Sequence, residues 1–235
     1  MAADWLISLT GISFAYPNGR TIFQDFSFQF GSDQRTGLIG SNGSGKTTLL
    51  QLIMGLLKPK AGTIELFGRE CRTEKEFREA RLKIGFVFQD ANDQLFCPTV
   101  GDDLAFGPLN MGKSRVEADA AVDETLKMLH LEAFKDRVTY GLSDGEKKLV
   151  AIGTALAMKP QMLILDEPTT CLDEGACDRI AEVLLNCGLP YLVVAHDRQF
   201  LDRVTSSRIM LKDNRITEAP ANSCCRTDGR ASQTS

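Results

Sequence analysis

A glycine-rich stretch at residues 40–48 carries the residue types that hold phosphate groups. Its spacing, Gly-x-x-x-x-Gly-Lys-Thr, is complete, and it lies between an apolar run at 36–39 and a helix predicted for 46–57. Glycine permits the tight turn through which backbone N–H groups reach phosphate oxygens, and the helix adds its positive end. The candidate phosphate-binding residues of this P-loop are Gly40, Ser41, Asn42, Gly43, Ser44, Gly45, Lys46, Thr47 and Thr48.

Two P-loop side chains have distinct predicted tasks. Lys46 would pair with the β- and γ-phosphates of a nucleotide, and the Thr47 hydroxyl would coordinate Mg²⁺. The alternative is a glycine-rich surface turn that contains a lysine by chance. The predicted strand before the loop and the predicted helix after it favour the phosphate-binding interpretation.

An acidic pair follows the apolar run 161–165, which is typical of a buried parallel strand. Asp166 would hold the metal through water. Glu167 would orient or deprotonate the water that attacks the γ-phosphate. Two acids at a strand end can also cap a helix, but Pro168 beside them and the P-loop upstream favour the catalytic interpretation.

An amide and an imidazole follow two other predicted strands. Gln89 follows the run 83–88, at the edge where ligands of parallel sheets bind, and could reach Mg²⁺ and the attacking water without adding charge. His196 follows the run 191–195 and could contact the γ-phosphate and hold that water. Taken alone, such a glutamine is usually a solvated loop residue, and a lone histidine is more often structural.

Two further candidates have simple structural alternatives. Tyr16 ends the first predicted strand and could stack on adenine, although strand-end packing is the commoner use of a lone tyrosine. Ser143 and Glu146 form a capping box that starts a helix predicted to run through Ala157. A capped helix start with the nearby Gly145 N–H is also a second anion site.

Hydrophobic patterning supplies the elements that position these residues. Runs at 5–16 and 23–30 predict strands around a turn at 17–19, and 63–67 predicts another strand. Residues 90–159 are mostly helical, and a capping box at Ser114 starts a helix to about residue 130. Its predicted buried face carries Val116, Ala120, Leu126 and Leu129. The fold class is α/β: an ATP-binding core at 1–89 and 160–217, a helical insertion at 90–159 and a disordered tail at 218–235.

Composition bounds the class of protein. The 235 residues are 43% hydrophobic and 25% charged, and the net charge of −4 lacks the basic footprint of a nucleic-acid binder. No apolar stretch approaches 18 residues, and the N-terminus lacks the regions of a signal peptide. The seven cysteines have no metal-site spacing and are expected to be free thiols. The pair Cys224-Cys225 lies in the polar tail, where lipidation is the less favoured alternative.

In this order the motifs resemble an ATP-binding-cassette (ABC) ATPase over roughly residues 5–217. Residues 142–146 resemble the LSGGQ signature, residues 170–173 the D-loop, His196 the switch histidine and Tyr16 the adenine-stacking aromatic. The resemblance implies a RecA-like core with N-terminal antiparallel strands and a helical subdomain. It also implies ATP as substrate with Mg²⁺ and a head-to-tail dimer. Ser143 and Gly145 would close over the partner subunit's ATP, and Asp173 of the D-loop would belong to the nucleotide site.

A finer resemblance involves residues 88–96, which are similar to the FQNPDDQLF segment of cobalt/nickel and energy-coupling-factor (ECF) importers. It implies a second ABC ATPase subunit, identical or different, at the cytoplasmic face of the cell membrane. The pair would dock beneath a transmembrane coupling protein that serves a substrate-binding membrane subunit, with no nucleic acid involved. The alternatives are an ATPase of another ABC transporter class, a soluble non-transport ABC ATPase and a regulatory module that holds ATP without turnover.

One residue departs from the signature pattern. Asp144 stands where the family has glycine, and a carboxylate facing the partner's γ-phosphate should weaken closure through like charge unless it points away. The expectation is slower hydrolysis, or a heterodimer with one weaker site.

Overall fold

The computed structural model describes residues 5–219. The strands in this range are β1 (Trp5–Ala15), β2 (Thr21–Gly31), β3 (Arg35–Ile39), β4 (Ala61–Leu66), β5 (Arg69–Glu70), β6 (Ile84–Val87), β7 (Met162–Asp166), β8 (Tyr191–Val194), β9 (Ser207–Lys212) and β10 (Arg215–Glu218). The helices are α1 (Lys46–Ile53), α2 (Glu74–Arg81), α3 (Val100–Asn110), α4 (Arg115–Met128), α5 (Asp144–Ala157), α6 (Glu174–Asn186) and α7 (Arg198–Val204).

The strands form two sheets. A four-stranded antiparallel sheet has the order β2-β1-β4-β5, and its β1–β2 hairpin confirms the predicted N-terminal strands. A six-stranded sheet has the order β10-β9-β3-β8-β7-β6 and is parallel except for β10. Such a parallel sheet must be covered on both faces, which explains the continuous apolar runs in its strands.

Four neighbouring parallel strands bring the predicted catalytic groups to one edge of this sheet. The P-loop follows β3 and His196 follows β8. Asp166 is the last residue of β7, Glu167 comes directly after it, and Gln89 follows β6. Because parallel strands share a direction, their carboxyl ends lie side by side. This edge is where ligands of open α/β sheets bind.

Strand β7 separates two hydrophobic cores. Met162 and Ile164 face a core built from α1 and the phenylalanines of β2, whereas Leu163 and Leu165 face a core built from α3 to α7. All four side chains are fully buried. Each such side chain contributes about 1.5–3 kcal/mol through burial. The strand that ends in the acidic pair is therefore held rigidly on both faces.

The predicted end of α1 is wrong. The helix ends at Ile53 and not at residue 57, because Gly55 adopts a φ of 69° that continues no helix. A Cβ at position 55 would lie 2.3 Å from Cγ of Phe77, so α2 packs directly on this turn. The contact joins residues distant in sequence, and a helical pattern does not contain it.

The predicted buried face of α4 is also partly wrong. Val116 is 79% exposed and Ala120 is exposed, while Leu126 and Leu129 are buried as predicted. Helices α3 and α5 cover a neighbouring stripe of α4. The remaining buried residues within α4 are Ala118, Ala121, Val122 and Thr125.

The predicted tail begins too early. Strand β10 extends to Glu218, which pairs with Ile209 of β9, so this residue belongs to the sheet. Residues 220–235, including Cys224-Cys225, lie outside the described residues, as do residues 1–4.

The five cysteines among residues 5–219 are free thiols, as expected: Cys71, Cys97, Cys171, Cys177 and Cys187. Among residues 5–219, no helix has both the length and the apolar character needed to cross a membrane.

Candidate functional site

The P-loop turns tightly from β3 into α1. Gly45 is the N-cap of α1 with a φ of 106°, a conformation that side-chain-bearing residues rarely adopt. A Cβ there would also lie 2.8 Å from Cγ2 of Ile22. No side chain of the described chain caps α1, so its first N–H groups are available to an anion.

The Lys46 ammonium group lies against the P-loop backbone. It donates hydrogen bonds to the carbonyl oxygens of Gly40 at 2.7 Å and Ser41 at 3.3 Å. Burial lowers the pKa of Lys46 from its ordinary value, while the charges of Glu167 and Asp166 oppose that shift. A cation held between the loop and two acids is suited to draw in a phosphate group.

Most of the predicted nucleotide-site residues line one cleft of about 510 Å³. They are Tyr16, Asn42, Gly43, Gly45, Lys46, Thr47, Thr48, Gln89, Asp166, Glu167 and His196. The other P-loop residues, Gly40, Ser41 and Ser44, do not line it. Two of them provide carbonyls to Lys46, and the Ser44 hydroxyl is buried.

Tyr16 is fixed beside the P-loop by two contacts. Its hydroxyl lies 2.9 Å from Oγ1 of Thr48, and its ring meets Phe14 edge to face with centroids 5.0 Å apart. Both the packing alternative and the adenine-stacking prediction are compatible with this position, because the same ring lines the cleft.

Glu167 and His196 form a polar pair at the cleft. The Nε2 atom of His196 lies 3.2 Å from Oε1 of Glu167, and the His196 backbone N–H donates to Oε2 at 3.3 Å. The Thr170 hydroxyl donates to the same Oε2 at 3.4 Å. Oε1 is buried beside the His196 ring, and it accepts no hydrogen bond within the described chain. The two donors orient Oε2, and Oε1 keeps a lone pair that could accept from a water molecule.

Three residues with oxygen-bearing side chains, Thr47, Gln89 and Asp166, line the cleft together. Burial raises the pKa of Asp166, and the neighbouring Glu167 charge adds to the rise. A hydroxyl, an amide and one carboxylate match the oxygen ligands that Mg²⁺ prefers. Within residues 5–219, no group of three or more His, Cys, Asp and Glu residues could hold a metal ion. The hydroxyl, amide and carboxylate of Thr47, Gln89 and Asp166 would fit a Mg²⁺ ion that also binds phosphate oxygens.

The predicted partner-facing residues do not line this cleft. Ser143 caps α5 and accepts from the Glu146 N–H at 3.3 Å, so the predicted capping box is confirmed. Asp173 caps α6 and accepts from the Ala176 N–H at 2.8 Å. Gly145 is buried in the first turn of α5. Each residue thus has a structural task in its own subunit, and its contact with a second subunit stays a prediction.

A second cleft of about 460 Å³ lies beside the first. Asp144, Lys147 and Lys148 of α5 line it, and it shares Gln89 and Asp166 with the first cleft. The start of α5 therefore lies at a cleft that shares lining residues with the cleft of the P-loop.

The cleft contains residues that the sequence did not indicate. Arg20 donates from Nη2 to the Gly43 carbonyl at 3.0 Å, and Ile22 packs at the Gly45 turn. Thr170 also lines the cleft. Arg20 and Ile22 belong to the β1–β2 hairpin, and their proximity to the P-loop depends on how the two sheets pack. Only the Pro17-Asn18-Gly19 turn before them carries a local signal.

A P-loop between β3 and α1, a buried strand that ends in an acidic pair, and a helical insertion after Gln89 define a P-loop nucleotide hydrolase. The ABC transporter family model matches residues 23–170 of the chain. The chain belongs to the ABC transporter family, as the ATP-binding subunit that hydrolyses ATP.

Curated relatives agree with this assignment. An uncharacterized ABC transporter ATP-binding protein of Haemophilus influenzae is 43% identical over 194 residues, which are 83% of this chain and 89% of the relative. The ECF transporter ATP-binding protein EcfA of Methanothermobacter thermautotrophicus is 40% identical over 207 residues, which are 85% of this chain and 67% of the relative.

Solved structures show the same fold. CbiO1 of Clostridium perfringens, part of the ABC transporter complex CbiONQ, matches with a TM-score of 0.84 and 32% identity, covering 91% of this chain and 87% of that chain. An ATP-binding cassette solved as a dimer in a post-hydrolysis state with ADP and Pi matches with a TM-score of 0.81 and 27% identity. The match covers 91% of this chain and 97% of that chain.

Proposed function

We propose that this ABC ATPase powers an importer of the ECF or cobalt/nickel type. ATP-driven closure of an ATPase dimer would act on a membrane coupling protein above it. The observation that carries the hydrolytic part is the convergence of Lys46, Gln89, Asp166, Glu167 and His196 on one cleft. The similarity to EcfA and CbiO1, together with the sequence of residues 88–96, supports the importer class.

Each cleft residue has a proposed role in hydrolysis. Lys46 neutralises the β- and γ-phosphates, and Tyr16 stacks on adenine. Glu167 orients and deprotonates the attacking water, and His196 contacts the γ-phosphate while it holds Glu167. Thr47, Gln89 and Asp166 would hold Mg²⁺, which would neutralise phosphate charge.

The proposed working unit is a pair of ATPase subunits. Ser143, Gly145 and Asp173 lie outside their own cleft, which is consistent with a role at the cleft of a second subunit. The helix start at Ser143 presents the N–H groups that an anion favours. Whether the second subunit is identical or different is decided by the purification below.

The proposed membrane partner is a transmembrane coupling protein that serves a small substrate-binding subunit. Phe96 and Phe106 are 64% and 45% exposed, and their rings meet edge to face with centroids 4.7 Å apart. Phe88, beside Gln89, is also exposed. Exposed aromatic side chains of this kind suit a protein partner. The ATPase would then lie peripherally at the cytoplasmic face of the membrane.

Asp144 would weaken the composite site. It is exposed in the first turn of α5, where the helix dipole favours an acid, and it lines the second cleft. At a partner's γ-phosphate the same charge is repulsive. An Asp144→Gly variant should hydrolyse ATP faster, and an unchanged rate would rule out the weak-site proposal.

The deciding experiment uses tagged Glu167→Gln protein, trapped with ATP and purified from detergent-solubilised native membranes. Mass spectrometry should identify a transmembrane coupling protein and a small membrane subunit, whose bound ligand names the transported substrate. A second ATPase in the sample would establish a heterodimer. Recovery of no membrane protein would refute the importer proposal and favour a soluble ABC ATPase.

An ATPase assay separates turnover from regulatory ATP binding. Wild type should hydrolyse ATP with the membrane partners supplied. Glu167→Gln should still bind ATP, and its turnover should fall by about 10²-fold or more, which is the usual contribution of a general base. Equal inactivity of the two proteins would mean that the chain holds ATP without hydrolysing it.

A further inference from the structure

A buried lysine of α5 holds the backbone at Gln89. Lys148 is 3% exposed, and its ammonium group donates to the carbonyl oxygens of Phe88 at 3.0 Å and Gln89 at 2.5 Å. Both carbonyls lie just past the end of β6, where the chain leaves the sheet for the helical insertion. A buried charge needs such partners because its desolvation is otherwise uncompensated.

Other side chains join the same short segment to α5. Gln94 accepts from the Phe88 N–H at 3.1 Å and donates to the Ala151 carbonyl and the Thr154 hydroxyl, both at 2.8 Å. Lys147 donates to Asn92 at 2.9 Å. Side chains at three positions, Gln94, Lys147 and Lys148, therefore join residues 88–94 to α5, and Lys148 makes the contact at Gln89 itself.

We propose that Lys148 is a positioning residue, which fixes the Gln89 backbone to α5 so that the Gln89 amide is presented to the catalytic cleft. This inference rests on the proposed roles of Gln89 and of the α5 N-terminus. Ser143 caps α5 and Gly145 lies in its first turn, so a contact made there by a partner's nucleotide would be transmitted to Gln89 through one rigid helix. Closure of a partner's nucleotide site on Ser143 and Gly145 is thereby coupled to the position of Gln89 in this subunit's own cleft.

The chemistry of the contact requires a cation with several donors. Two carbonyl oxygens converge on one ammonium group. Burial lowers the pKa of Lys148 from its ordinary value, and the charges of Asp90 and Asp166 oppose that shift. Methionine would fill much of the volume but donate no hydrogen bond. Arginine keeps the charge and the donors, so it should restore part of the function that methionine loses.

The first test is amide hydrogen exchange of the full-length chain without nucleotide. Lys148→Met should accelerate exchange by about fivefold or more in the segment 88–95, where the amides of Phe88 and Leu95 bond to Gln94 and Ala91. P-loop peptides should be unchanged. Lys127→Met, at an exposed position of α4, is the matched control.

The second test is a double-mutant cycle on ATP turnover at saturating ATP. Lys148→Met should lower kcat by about 10- to 100-fold with KM nearly unchanged, because displacement of a positioned group by about 1 Å has effects of this size. In a Gln89→Ala background the same substitution should change kcat by less than about twofold. Lys148→Arg should recover part of the loss.

Two results would overturn the proposal. One is unchanged exchange in residues 88–95 of Lys148→Met. The other is an equal loss of kcat with and without Gln89, which would mean that Lys148 serves the fold alone. If wild type hydrolyses no ATP with its partners present, the proposed function fails, and the exchange experiment still decides whether Lys148 holds this segment.

Discussion

Gly145 is predicted to contact a partner's nucleotide, yet its missing side chain also has a packing role within the subunit. A Cβ at position 145 would lie 2.7 Å from the Cβ of Ala176 in α6, a separation that real Cβ atoms essentially never show. The two helices therefore approach each other at this point only because one residue is glycine. The variants Gly145→Ala and Ala176→Gly, alone and combined, move a methyl group from one side of this contact to the other. They therefore distinguish the packing role of Gly145 from its predicted contact with nucleotide.

The expected magnitudes follow from the contact. Gly145→Ala introduces overpacking of about 1–3 kcal/mol and regains up to about 1 kcal/mol of helix propensity, so the free energy of unfolding should fall by about 1–2 kcal/mol. Ala176→Gly removes a buried methyl group worth about 0.8 kcal/mol and about 1 kcal/mol of helix propensity. The double variant contains one methyl at the contact, as wild type does, and its two changes in helix propensity cancel, so its free energy of unfolding should lie within about 1 kcal/mol of wild type.

Denaturant unfolding followed by circular dichroism measures these differences, and each 1 kcal/mol shifts Tm by about 2–4 °C in a chain of this size. Gly141→Ala is the matched control, because its Cβ would meet no atom within 4 Å. Additive losses in the double variant, or a Gly145→Ala variant as stable as wild type, would refute the packing argument. A double variant that regains stability without regaining ATP turnover would assign Gly145 a separate contact with nucleotide.

Three further outcomes follow from the structure. Gly55→Ala should lower the free energy of unfolding by about 2–4 kcal/mol in urea titration, since φ is 69° and the Phe77 ring fills the space. Gly188→Ala, with φ of 70° but open space, should lose less, and equal losses would contradict the role of Phe77. Asp166→Asn should raise Tm at pH 7 without nucleotide. Burial raises the pKa of Asp166 in the folded state, so its charged form destabilises the fold above that pKa. The increase in Tm of the variant should therefore vanish as pH falls below 3.8, the ordinary pKa of an aspartate, and an increase that persists below this pH would contradict burial as the cause. Burial, reinforced by Asp103, raises the pKa of Cys97 to about 11, so its alkylation followed by mass spectrometry should accelerate about tenfold per pH unit between pH 7 and 9, and a plateau in that range would contradict the shift.

Sequence alone predicts well which residues meet at the carboxyl edge of the parallel sheet, for a definite reason. The P-loop, Gln89, Asp166 and His196 each follow an apolar run, and parallel strands must present their ends at one edge. The capping boxes at Ser114 and Ser143 are equally local signals, and both form as predicted. Features encoded within a few residues of one another could therefore be placed before the structure was known.

Features that depend on distant contacts could not be placed. The end of α1 is fixed by Phe77, and the buried stripe of α4 by its neighbouring helices. Arg20 enters the cleft through the packing of the hairpin against the P-loop. Lys148 belongs to a run of charged residues that gives no sign of burial, and its partners lie about 60 positions earlier in the chain. None of these relations leaves a periodic trace in the sequence.

Glu167 occupies a left-handed backbone conformation, with φ of 47°, directly after a strand that is packed on both faces. Glycine or asparagine would adopt that conformation with less strain, which for most residues is about 1–2 kcal/mol. A library selected for folding alone should therefore enrich glycine or asparagine at this position and discard the glutamate. The proposed catalytic role of Glu167 would account for a glutamate at this position in spite of that strain. In a gene copy released from ATP turnover, position 167 should be among the first to change.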